Sequence, residues 1–104
     1  MPKKHTVEIT ATAEEDIEAI FDYIACENPD AALEWVAEIE RQIGSLERFP
    51  KRCAVIPESS ELGQEYRHLI YGHYRTIFRI EGSTIIILRV VHSARLLDME
   101  ILEK

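Results

Sequence analysis

Thirty consecutive residues, Tyr66 to Arg95, read YRHLIYGHYRTIFRIEGSTIIILRVVHSAR and constrain the fold more than any other part of the chain. Polar and apolar residues alternate with a period of two, interrupted at Gly72-His73 and at Glu81-Gly82-Ser83. This pattern predicts three antiparallel strands over residues 66–71, 74–80 and 84–92, joined by tight turns. On the middle strand, Tyr74, Thr76, Phe78 and Ile80 fall on one side, and Arg75, Ile77 and Arg79 on the other. The first set is the expected core face. On the last strand, Thr84, Ile86, Leu88, Val90 and His92 share a side opposite Ile85, Ile87, Arg89 and Val91. Both sides are apolar, so this strand is expected at the centre of the sheet, covered on both faces. Helices are one cover; the tail or a partner is the other.

The preceding residues supply those helices. Val7-Glu8-Ile9-Thr10 alternates and predicts a first strand over residues 5–10. Thr12-Ala13-Glu14-Glu15 has the form of a capping box, which places a helix start just after Thr12. Ile17, Ile20, Phe21 and Ile24 then form one apolar stripe. Asn28-Pro29 ends this helix and starts another, with Asn28 as cap and Pro29 at the first helical position. Ala32, Trp35, Val36, Ile39, Ile43 and Leu46 form the second stripe, in which Trp35 is a core anchor. So short a turn makes the two helices pack antiparallel. Pro50 closes the second helix, and residues 50–65, with Pro57 and Gly63 and few aliphatics, read as a loop. Leu96, Leu97, Ile101 and Leu102 make an apolar tail, expected as a short helix or an ordered arm. The order β-α-α-β-β-β describes an α+β domain, one domain over residues 1–104, with a helical hairpin on one face of an antiparallel sheet.

Charge narrows the function. The net charge of −7 is uneven: residues 1–50 carry four Lys/Arg against twelve Asp/Glu, and residues 51–104 carry eight against seven. An acidic chain is no general nucleic-acid binder. Yet Arg67, Arg75, Arg79, Arg89 and Arg95 all lie in the sheet half, more guanidinium groups than a self-burying sheet requires. They either meet an anionic or carboxylate-bearing partner or pair with acids of the helical hairpin. His92, at the end of the last strand, carries an imidazole, the side-chain type suited to acid–base work; hydrogen bonding to backbone is its simpler reading. Cys26 and Cys53 have neither the number nor the spacing of a disulfide framework or a zinc site and read as buried or semi-buried thiols. His5, His68 and His73 are dispersed, so no metal site is expected. No histidine stands at a motif spacing from Ser59 or Ser60, and Glu58-Ser59-Ser60-Glu61 reads as a solvated loop. Gly72 and Gly82 are turn residues without phosphate-loop context. No apolar leader follows the first residues and no run is long enough to cross a bilayer, so the cytoplasm is the expected location.

The element order, the strand YRTIFRI (Tyr74–Ile80) and the ending ILRVVHSAR (Ile87–Arg95) together resemble the RelE/ParE toxin superfamily of bacterial type II toxin–antitoxin modules, over nearly the whole chain. Asp16-Ile17, Tyr23-Ile24, Asn28-Pro29, Ala31-Ala32 and Phe49-Pro50 are similar to the ParE side. The resemblance implies a plasmid-stabilisation type of toxin neutralised by a cognate antitoxin of ribbon-helix-helix type, with no metal or organic cofactor. ParE-like members are associated with inhibition of DNA gyrase. RelE-like members cleave mRNA in the ribosome, which would give Arg75, Arg95 and His92 catalytic roles. Such cleavage needs a base for the 2′-hydroxyl, cations for the phosphate and an acid for the leaving oxygen. After Arg95 there is no aromatic residue of the kind RelE-type enzymes use; the last tyrosine is Tyr74. Three expectations stand: a gyrase-directed binder, with Arg67, Arg75, Arg79, Arg89 and Arg95 as contact residues; a ribosome-dependent endoribonuclease; and a toxin fold that retains only antitoxin binding.

Overall fold

Strand β1 (Thr6–Ile9) leads directly into helix α1 (Ala11–Ala25), and α2 (Pro29–Ser45) follows after a three-residue turn. A 3-10 turn at Pro50–Arg52 and a single helical turn, α3 (Ser59–Leu62), precede the hairpin strands β2 (Arg67–Tyr71), β3 (Tyr74–Glu81) and β4 (Thr84–His92). The computed structural model describes residues 4–95 and Leu102; the tail at residues 96–101 lies outside the described residues. Among the described residues, no helix is long and apolar enough to cross a membrane.

Local chemistry explains the boundaries. The cap of α1 is Thr10, not Thr12: its hydroxyl oxygen accepts from the Ala13 N–H at 3.1 Å. Thr10 prevails because the same hydroxyl donates to the Leu88 carbonyl at 3.1 Å, a tertiary bond that fixes the helix start. Asn28 caps α2 as expected, accepting from the Ala31 N–H, with Pro29 at the first turn. Both hairpins turn on two residues, and the first of each pair, Gly72 and Gly82, has a positive φ of 59° and 62°. Glycine there suits a turn whose twist matches that of the strands.

The sheet has the order β1-β4-β3-β2, with β4 inside as expected. It is not wholly antiparallel. β1 runs parallel to β4, with Thr6 opposite Thr84 and Ile9 opposite Ile87, because the helical hairpin carries the chain back across the sheet. The alternation on β4 is also interrupted. Ile77 pairs with Arg89 and Phe78 with Ile87, so Leu88 is an extra residue in a β-bulge. Strict alternation would group Val90 with Ile86 and Leu88. The bulge instead moves Val90 to the side of Ile85 and Ile87, and Val91 to the side of Leu88.

Two apolar layers result. Beneath the helices, Trp35, Ile39, Ile43 and Leu46 pack with Phe78, Ile85, Ile87 and Val90, joined at the edge by Tyr74 and Ile80. On the opposite face, Ile77, Leu88 and Val91 are covered by Ile56, Tyr66 and Leu102. The second cover therefore includes the 50–65 segment. The Ile56 N–H donates to the Tyr66 carbonyl, and Ser59 Oγ both accepts from the Tyr66 N–H and donates to its carbonyl. Glu58 and Ser59 are accordingly not part of a solvated loop, since Glu58 is buried and Ser59 is bonded to the sheet, while Ser60 and Glu61 are exposed. Cys53 is buried as expected, whereas Cys26, at the exposed end of α1, is not.

Candidate functional site: an arginine-bearing sheet

The five sheet arginines fall into distinct environments. Arg75 points away from the helices and is buried. Its Nη2 donates to Glu58 Oε2 at 2.6 Å and its Nη1 to Glu58 Oε1 at 3.3 Å, with side chains 5% and 10% exposed. Nη2 also donates to the Arg95 carbonyl at 2.6 Å, so one guanidinium joins α3, β3 and the end of β4. A charge this deep persists in a fold only when it is paired and hydrogen-bonded. His68 Nδ1 stands 3.5 Å from Arg75 Nη1. Burial, and secondly Arg75, hold the His68 imidazole below its ordinary value, with Glu58 acting against them.

Arg89 is tied to the hairpin. Its Nε and Nη2 donate to the Asp16 carboxylate at 2.7 and 2.9 Å. Those hydrogen bonds, more than the attraction between the charges, raise its pKa against the opposing effect of burial. Asp16 also accepts from the Val90 N–H at 3.0 Å. β1 ends at Ile9, and from there α1 completes the backbone bonding of β4: Thr10 takes the Leu88 carbonyl and Asp16 the Val90 amide.

The other three arginines are nearer the solvent. Arg67 donates to the Cys53 carbonyl at 2.6 Å and to Glu65 at 2.8 Å. Arg79 lies 3.3 Å from Glu81 on its own strand. Arg95 is exposed at the rim of a cleft of about 350 Å³, which it lines with Glu58, Glu61, Arg75 and Ser93.

The structure brings the Arg75 guanidinium to the Arg95 backbone but leaves His92 apart. The bulge turns His92 to the helix side, where it pairs across the strands with Tyr74, its ring edge-on at 5.9 Å, and lies parallel to His73 at 6.2 Å. His92 Nδ1 accepts from the Ala94 N–H, the backbone bond of the simpler reading. Among the described residues, no group of three or more His, Cys, Asp or Glu side chains could hold a metal ion.

Sequence reasoning missed Glu58, and with it the role of His68. The available signal was indirect: Arg75 on the second face of a covered strand demands a buried carboxylate, and Glu58 follows Ile56-Pro57 in the segment that covers that face. Asp16 was legible as a hairpin acid but not as the partner of Arg89, because that pairing depends on where the bulge falls.

The sequence model of the ParE toxin of type II toxin–antitoxin systems, parDE, matches residues 7–97. No curated protein matches the chain. Among solved structures, the chain is similar to the chromosomal ParDE toxin–antitoxin system from P. aeruginosa, at 26% identity over 86% of this chain and 97% of that one, with a TM-score of 0.70. It is also similar to the RelBE2 toxin–antitoxin complex from Mycobacterium tuberculosis, at 27% identity over 86% of this chain and 98% of that one, with a TM-score of 0.59. The matched residues include Val7 to Ile9 of β1, both long helices, the three hairpin strands and Arg95 beyond them, and the chain therefore belongs to the ParE toxin family of the RelE/ParE superfamily.

Proposed function

We propose that this ParE-family chain acts by protein–protein contact, inhibiting DNA gyrase, and is neutralised by a cognate antitoxin. One observation carries the reading against RNA cleavage. The bulge at Leu88 leaves Arg75 and His92 on opposite faces of the sheet, and Arg75 is already neutralised by Glu58. An in-line attack on a phosphodiester needs its base, its acid and its charge-stabilising cations around one phosphate. A binder needs no such convergence. The acidic charge of −7 agrees, since phosphate contacts supply much of the affinity for nucleic acid. The antitoxin is supported by the two similar structures, one a toxin–antitoxin system and the other a toxin–antitoxin complex.

Arg95 and Arg79 are the arginines best placed to meet a partner, because Arg75 and Arg89 hold internal carboxylates. Added to a gyrase supercoiling assay, the purified chain is expected to block supercoiling, and His92→Ala to block it equally. Arg95→Glu should weaken the block, by about 2–5 kcal/mol if its interfacial ion pair is buried. Primer extension on translated mRNA after induction tests the enzymatic alternative. Cuts within ribosome-bound message that disappear in His92→Ala would overturn the gyrase reading. Neither effect, with antitoxin binding retained, would mean a toxin fold reduced to that contact.

A further inference from the structure

On the helix side of the sheet, where β3 begins, lies a cleft of about 380 Å³ that the arginine-bearing face does not account for. Its walls come from three elements: Tyr23 at the end of α1, Glu34 and Trp35 on α2, and Tyr71, His73 and Tyr74 around the first hairpin turn. We propose that this cleft receives the arginine side chain of a partner protein.

The composition of the walls makes the case. Trp35 and Tyr74 form an edge-to-face pair with ring centroids 5.6 Å apart, which gives a rigid aromatic floor. Tyr23 lines the same cleft with 74% of its surface exposed. Aromatic faces carry negative charge and attract a cation lying over them. Glu34 adds a carboxylate at the rim, and no lysine or arginine is among the described residues that line the cleft. The helical half around it is strongly acidic, with twelve Asp/Glu against four Lys/Arg in residues 1–50. An aliphatic guest would gain nothing from the carboxylate, and an anionic guest would be repelled. A guanidinium is favoured over an ammonium because its planar face stacks on rings while its edge donates to a carboxylate. The inference is independent of the gyrase reading, since any partner presenting an arginine here would qualify.

Trp35 is the only tryptophan of the chain, so its fluorescence reports occupancy directly. The test titrates the full chain, at constant ionic strength, with N-acetyl-arginine amide, with the uncharged citrulline analogue and with N-acetyl-leucine amide. The arginine derivative is expected to give a saturable change and the other two none in the same range. Glu34→Gln and Tyr23→Ala, both at exposed positions, should each weaken binding about three- to fivefold while leaving the melting temperature unchanged. A response to citrulline equal to that for arginine, tighter binding of the leucine derivative, or indifference to both substitutions would overturn the proposal.

Discussion

Arg75 and Glu58 form the deepest ion pair of the described residues, and a buried pair is far more sensitive to losing one member than to losing both. Glu58→Ala is expected to destabilise the fold by about 3–5 kcal/mol, because it leaves a guanidinium desolvated and half-bonded. Replacing both by residues of similar volume, as in Arg75→Met with Glu58→Leu, should restore most of that loss in a denaturant titration. If the double variant is as damaged as the single, the pair matters for contacts other than its charge. His68 beside the pair gives stability a pH dependence. Its imidazole titrates below the ordinary value of 6.5 when folded, so the unfolded chain takes up the proton first. Stability is therefore unaffected above that ordinary value and declines as pH falls through it. The melting temperature should drop as pH falls from about 6.5 to about 5.5, and His68→Gln should flatten that slope. An unchanged slope in His68→Gln would assign the acid sensitivity elsewhere.

At the scale of elements, the junction between β1 and α1 concentrates the tertiary bonding, and Thr10 is its pivot. Thr10→Ala removes both the helix cap and the bond to the Leu88 carbonyl, so a loss of about 1–2 kcal/mol is expected in urea unfolding. Thr12→Ala, inside the first turn of α1, should be milder, and the reverse order would return the cap to the capping-box position. The capping box misleads here because local sequence offers two threonines, and only a contact with β4, nearly eighty residues away, chooses between them. Where signals are local they suffice. Asn28-Pro29 set the start of α2, and Gly72 and Gly82 set the turns. The bulge is invisible for the opposite reason. Ile85 through Val91 is apolar in both phases except at Arg89, so a one-residue shift leaves apolar groups facing inward on either side. The candidate site inherits that ambiguity, since the placement of His92 relative to Arg75 depends on the bulge alone. Glu58 was hidden by its composition: Glu-Ser-Ser-Glu looks solvated until the sheet face that needs it is known.

The whole molecule is two unequal apolar layers sharing one sheet, with β4 lining both. Such sharing should make unfolding cooperative. Trp35 fluorescence follows the helix layer, and exchange of the Ile56 amide, bonded to the Tyr66 carbonyl, follows the other. The two are expected to report the same unfolding free energy, and a lower value at Ile56 would show the 50–65 cover opening on its own. The parallel pairing of β1 with β4 reaches further, into the order in which the molecule comes into being. When translation has delivered the first fifty residues, both long helices exist in sequence, but the sheet on which they pack does not. β1 must wait for Thr84 to Ile87 before it has a strand partner. The arginine-bearing face is assembled at the same late moment, because its cations belong to the last strands and their flanks. A half-made chain is thus not a weaker version of the finished one. It lacks the arginine-bearing face altogether until β3 and β4 have been made.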